Sequence, residues 1–215
     1  MPRCSRALEA EQIPVRFKEG TVHGFLVLRT QQGETLAAGD LIQVIRGDRL
    51  ISELVFHFKD GSVDDEITIF SQRDHFRLLS SHHVQKGPAF PNPMDVSIDG
   101  SSGEVQVRST ENGKDKVQTK HLDLPPDLAN GLILTILKNI RPDTPETKLS
   151  RFSACAGEIC RTKLAPYGCH RGNAEYGVIL DCSGQWLQLS SMRLRIGLGI
   201  GGFRLLAHRP MTSGR

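Results

Sequence analysis

Carboxylates and histidines crowd one stretch of this chain, and chemistry is sought there first. Asp60, Asp64, Asp65 and Glu66 sit close together, with His57, His75, His82 and His83 on either side. A histidine within hydrogen-bond reach of a carboxylate is the smallest unit of general acid–base catalysis. An enzyme built on residues 60–83, hydrolase-like in type, therefore predicts a polar pocket with two titratable groups in contact. The acidic run is not a calcium loop, because it lacks the alternating oxygen ligands, the Gly at position 6 and the Glu at position 12. A solvated turn and strand edge accounts for it more simply, since charge there discourages edge pairing. His82 and His83 point to opposite faces of a regular strand, so one of them at most faces the core. There is no G-x-S-x-G elbow, and residues 13–150 contain no cysteine to act as nucleophile. No catalytic residue is assigned, and an enzyme is the alternative to a binding protein.

Two further patterns invite a chemical reading and fail it. Gly197-Leu198-Gly199-Ile200-Gly201-Gly202 fits the dinucleotide fingerprint to the letter. That fingerprint works only when it opens a helix inside a βαβ unit of about 30 residues. Only 13 residues follow Gly202, and Pro210 is among them. Cys155, Cys160, Cys169, His170 and Cys182 resemble a metal set, but structural zinc uses close cysteine pairs and no second pair exists. Disulfides among these cysteines are the better expectation in an oxidising compartment. No metal and no cofactor is assigned.

The elements that must position any site are strands. Asp60-Gly61 marks a tight hairpin turn, with Leu54, Phe56 and Phe58 alternating before it and Glu66, Thr68 and Phe70 after it. Similar punctuation brackets strands at 21–30, 41–45, 76–85, 96–99, 104–108 and 116–122. Turns about every ten residues predict an antiparallel meander that curls into a half-barrel or open barrel. One helix interrupts it over about residues 126–140. Pro125-Pro126-Asp127 starts it, Leu128, Leu132, Ile136 and Ile140 recur at four-residue spacing, and Arg141-Pro142 stops it. Asn130-Gly131 weakens its first turn. The fold class is mainly β with one short amphipathic helix packed on the sheet as a plug.

Composition divides the chain in three. Residues 1–12 carry small residues of signal-peptidase type but no apolar core between them, so they read as a remnant of a signal peptide. Residues 13–150 form the β domain. Residues 151–215 are rich in Arg, Cys and Gly, and the alternation fades there to short stretches at 178–180, 186–189 and 194–196, an irregular tail. Lys and Arg number 18 against 21 Asp and Glu over residues 1–150, and nine against three beyond them. Those cations are scattered, and aromatics are only 6% of the chain, so a nucleic-acid partner is not expected. No apolar run approaches the roughly 18 residues of a membrane-spanning helix.

The segments Val22-His23-Gly24-Phe25-Leu26-Val27-Leu28, Phe56-His57-Phe58-Lys59-Asp60-Gly61-Ser62, Val84-Gln85-Lys86-Gly87-Pro88 and Asp123-Leu124-Pro125-Pro126-Asp127-Leu128-Ala129-Asn130-Gly131 resemble an uncharacterised family of bacterial secreted proteins. The likeness covers about residues 13–150 and implies a signal peptide on the precursor, hence a periplasmic or secreted location. Read literally, the start at Met1 is that of a cytoplasmic protein. The family supplies no catalytic residue. Its outline is similar to the half-barrel of periplasmic lipoprotein carriers, a likeness of fold alone. Its members stay β-rich past the helix, so the altered tail is what a frameshift would produce. A non-enzymatic envelope protein that binds a lipid or other apolar small molecule is the leading expectation, with Phe56, Phe58, Ile67 and Leu78 lining the sheet's concave side. A structural or protein-interaction module using an exposed sheet edge is the remaining alternative.

Overall fold

The structure is a computed structural model, and it describes residues 12–29, 34–111, 114–141, 143–154, 157–170, 173–180, 188–193 and 203–206. Eight strands come first: β1 Val22–Arg29, β2 Thr35–Arg46, β3 Arg49–Phe58, β4 Val63–Gln72, β5 Phe76–Lys86, β6 Met94–Asp99, β7 Glu104–Glu111 and β8 Lys114–His121. Helix α1, Ile133–Asn139, follows, and then β9 Thr147–Ser153, β10 Glu158–His170, β11 Asn173–Leu180, β12 Gln188–Arg193 and β13 Phe203–Leu206. The protein is mainly β, with an antiparallel meander packed on one short helix.

Each strand from β1 to β8 pairs antiparallel with the next in sequence. The full order is β8-β7-β6-β5-β4-β3-β2-β1-β13-β12-β11-β10-β9, with β1 and β13 parallel. β8 and β9 are the two ends of this order, so the sheet does not close into a barrel. The chain between them lies near β9, where Leu128 bridges Ser150 and the Ala129 amide donates to the Ser150 carbonyl. Lys120 Nζ on β8 donates to the Gly157 carbonyl, 2.8 Å away, beside the β9–β10 turn.

Local chemistry explains the elements. In the β3–β4 turn, the Asp60 carboxylate accepts from the Ser62 amide at 2.9 Å and Gly61 takes φ of +85°. That geometry brings Phe56 opposite Asp64 and Leu50 opposite Phe70. On β3 the inner side, defined as the one turned toward α1, carries Leu50, Ser52, Leu54, Phe56 and Phe58. Leu50 and Phe70 are completely buried, and full burial of such a side chain is worth roughly 1.5–3 kcal/mol. Strands also continue past Ser150, where the sequence marks only short segments. Cys160, Thr162 and Leu164 of β10 are buried at period two. The G-x-G-x-x-G stretch and residues 1–11 fall outside the described residues, as do the side chains of Cys155, Cys169, His170 and Cys182. Cys160 is buried on β10.

The helix is shorter than its apolar repeat suggests. Gly131, with φ of +67°, breaks the repeat, and Leu132 is the N-cap without any side-chain cap bond. Leu128, Leu132, Ile136 and Ile140 are nevertheless all buried, because the turn before the helix keeps the same side toward the sheet. They pack with Leu50, Phe70, Phe76, Leu78, Val96 and Val105 and with Leu149 and Phe152 of β9. A second apolar cluster holds Leu26, Leu28, Ala37, Leu41 and Phe56, with Leu36, Leu54, Phe58 and the helix residue Leu134 against it. Among the described residues no helix is long and apolar enough to cross a membrane.

Candidate functional site

The inner face changes character along the sheet. Over β1–β3 it is the apolar cluster of Leu26, Leu41 and Phe56. One strand further on, at the end of β4 nearer the β3–β4 turn, it becomes polar. Alternation puts Asp64, Glu66 and Thr68 of β4 on this side, and the register sets Gln85, His83 and Ser81 of β5 opposite them. Side chains paired this way across an antiparallel ladder lie about 4.5–5.5 Å apart at Cβ, so the six form one polar strip. On the β3 side, Phe56 faces Asp64 and Leu54 faces Glu66. The strip therefore borders the apolar cluster directly.

Hydrogen bonds organise one end of it. His83 Nε2 lies 2.8 Å from Asp64 Oδ1, and Gln85 Nε2 donates to Asp64 Oδ2 at 2.8 Å. Both Asp64 oxygens are engaged, and the imidazole is held with its other nitrogen directed elsewhere. The opposite end is open in bonding. Neither the Glu66 carboxyl nor the Arg151 guanidinium makes a hydrogen bond among the described residues. The Thr68 hydroxyl, 1% exposed, also has no partner. Gly131 sits on Thr68 and Glu66 so closely that any side chain there would overlap the Thr68 hydroxyl.

Electrostatics follow from this crowding. Withdrawal from water raises the Glu66 pKa, and the Asp64 charge adds to the rise, against opposition from His83 and Arg151. For His83 burial works the other way and disfavours the cation. The hydrogen bond to Asp64 and the charges of Glu66 and Asp64 outweigh burial, so its pKa is raised as well. Burial thus works against charge on Glu66, the carboxylates around His83 favour its cation, and the Arg151 charge acts on both. Such a set is rich in hydrogen-bond donors.

The histidines expected on opposite faces are so placed. His83 lies inside, whereas His82 lies outside and pairs with Asp95 at 2.9 Å. His23 pairs with Asp40 at 2.8 Å and stacks beside Phe25. These outer pairs are half exposed, and such surface pairs contribute about 0–1 kcal/mol. His57 and His75 are exposed and join no site.

Of the four residues expected to line a ligand site, only Phe56 and Phe58 are brought together. Phe56 is buried in the second apolar cluster, and Phe58 beside it is half-buried, edge-on to Phe90. Leu78 belongs to the main core under α1. Ile67 lies on the opposite face of β4, in an open depression of about 300 Å³ with Ser80, His82, Ser97 and Gln106. The polar strip was only partly visible in the sequence. Asp64 and Glu66 share a parity, but the bulge between Ile69 and Phe70 shifts the count to β5. Arg151 comes from a distant strand with no local signal. Comparison with protein-family models, with curated proteins and with solved structures gave no match.

Proposed function

We propose that this protein is a non-enzymatic binding protein of the bacterial envelope, whose sheet curls as a half-barrel around α1 and holds a lipid or other apolar ligand. The observation that carries the reading is the inner face of β1–β3. Leu26, Leu28, Ala37, Leu41 and Phe56 form one buried apolar cluster there, with Leu36, Leu54, Phe58 and the α1 residue Leu134 part-buried against it. A ligand would cover the area that Leu54 and Phe58 leave exposed, worth roughly 25 cal/mol per Å². Of the four residues first expected at the site, Phe56 belongs to this cluster and Phe58 packs against it. The resemblance to bacterial secreted proteins supports the location.

The test is direct. Protein purified without detergent is extracted and its lipids identified by mass spectrometry, and the stripped protein is screened by thermal shift against fatty acids. A co-purifying apolar molecule, or a rise in Tm that Phe58→Asp abolishes, is the expected result. No bound molecule and no stabilising ligand would sink the reading.

One observation favours a second reading. The contact between His83 and Asp64 is the pair of titratable groups that a hydrolase would need, with Glu66 beside it as an acid. An ester panel on which the protein and its His83→Ala variant show the same background rate would eliminate it.

A further inference from the structure

We infer that the strip formed by Glu66, Thr68, His83 and Arg151 is a head-group subsite, and that the apolar ligand is an amphiphile with an anionic oxygen head, a carboxylate or a phosphate. This rests on the apolar-ligand reading of the adjoining cluster and narrows it. Three observations converge. The register places Leu54 opposite Glu66 and Phe56 opposite Asp64, so a tail packed on the part-exposed Leu54 and Phe58 would bring its head to this strip. The groups left without partners are donors or can become donors. Among the described residues, the Arg151 guanidinium, the Glu66 carboxyl and the buried Thr68 hydroxyl make no hydrogen bond, while Asp64, the acceptor of the group, has both oxygens occupied by His83 and Gln85.

The charge balance then selects the sign of the ligand. A cationic head would need an ionised Glu66, and burial opposes that ionisation. An anionic head would meet Arg151 and the His83 side chain, and its charge would favour a proton on Glu66. Charge-assisted bonds from a guanidinium to carboxylate or phosphate oxygens are the strong class of hydrogen bond. The site should therefore take up a proton with the anion. The groups facing Glu66 are Asp64 on its own strand, His83 on β5 and Arg151 on β9, with Thr68 and Gly131 uncharged.

Three probes sharing one tail separate the head from the chain: dodecanoate, dodecyl phosphate and dodecanol. Each is titrated calorimetrically below its aggregation limit into the stripped full chain at pH 6 and pH 8. One or both anions should bind about tenfold or more tightly than dodecanol, as one charge-assisted contact would give. Preference for the carboxylate points to a fatty acid, and preference for the phosphate to a phospholipid head. Arg151→Gln should lose roughly that tenfold for the anions and leave dodecanol unchanged, while Arg151→Lys recovers part of it. Should Arg151 variants misfold, His83→Gln serves instead: it should weaken binding of the anions and leave dodecanol unchanged. Equal binding of all three probes would overturn the subsite and leave the apolar reading standing. If none of them bound, both would fall.

Discussion

A Cβ at Gly131 would overlap the Thr68 hydroxyl oxygen and press on Glu66 at 3.1 Å, while the backbone there holds φ at +67°. Thr68 is β-branched and 1% exposed, so it cannot swing away. Gly131→Ala should cost about 1–2 kcal/mol for the left-handed backbone and about 1–3 kcal/mol for overpacking. Urea unfolding of Gly131→Ala and of Gly131→Ala with Thr68→Ala, each against its own glycine parent, helps separate the two, since the second relieves the overlap with the hydroxyl and keeps the left-handed backbone cost. Glu66 and His83 make a joint prediction about pH. A carboxyl raised above its ordinary value of 4.5 binds its proton more tightly when folded, so stability falls as pH rises from about that value through the raised one. His83, raised from 6.5, contributes stability that is complete below that value and is lost as pH rises through its folded pKa. Both slopes have one sign. Unfolding free energy measured from pH 4.5 to 8.5 should decline, and Glu66→Gln should flatten the lower part of the decline. A rise in stability across that window would refute the assignment. The sequence did hint at Gly131, as a weak point in a helical repeat, but its Thr68 contact depends on a strand far away in the chain and had no local mark.

The short helix illustrates how an element is fixed by what it touches. α1 has seven residues, no side-chain N-cap and no acidic residue in its first turn, so it falls well below the length at which an isolated helix is stable. Packing holds it, and Asn139 ties the helix to the segment before β1. The Asn139 side-chain oxygen accepts from the Arg16 and Phe17 amides at 2.9 and 2.7 Å, and its nitrogen donates to the Thr135 carbonyl at 2.9 Å. Asn139→Ala strips two backbone donors of their acceptor, and each such loss in a shielded place costs about 1–3 kcal/mol. A loss of about 2–4 kcal/mol is expected in chemical denaturation, with Asn139→Asp, which keeps an acceptor, milder. Next to it Lys138 donates to both Glu19 oxygens at 2.8 Å, and the Glu19 side chain is 9% exposed. Lys138→Met leaves that carboxylate poorly compensated, at a cost of about 3–5 kcal/mol. Adding Glu19→Gln should return part of it, and a double-mutant cycle with no coupling would show that the pair is inert. The helix's apolar side was readable from Leu128, Leu132, Ile136 and Ile140. Its start was marked only by Asn130-Gly131, and the polar ties had no local mark, because their partners lie more than a hundred residues away in sequence.

At the scale of the molecule, the meander from β1 to β8 was readable because each strand pairs with the one before it, joined by turns whose residues announce them. The rest of the order depends on long-range pairing. β1 meets β13 in parallel, and no local pattern specifies which strand will lie beside an open edge. Stability should be distributed accordingly. β3, β4 and β5 have partners on both sides and carry Leu50, Phe70, Phe76 and Leu78, each at most 4% exposed. β8 is an end of the sheet, exposed along its described length, with Val117 56% exposed and with Lys114, Asp115, Lys116 and Lys120 along a strand of eight residues. Lysine on an edge discourages another chain from pairing with it, and this weighs against β8 as a docking edge for another protein. Amides that can open without disrupting the core exchange by local fluctuation, whereas buried central ones exchange only with global unfolding. Hydrogen exchange read by mass spectrometry should therefore show peptides from β8 exchanging orders of magnitude faster than those from β3–β5. Peptides covering β9 should lie between, since β9 is also an end of the sheet but has Leu149 and Phe152 buried against α1. Protection of β8 equal to that of β4 would mean that its free edge is covered in solution, and would return the edge to consideration as an interaction surface.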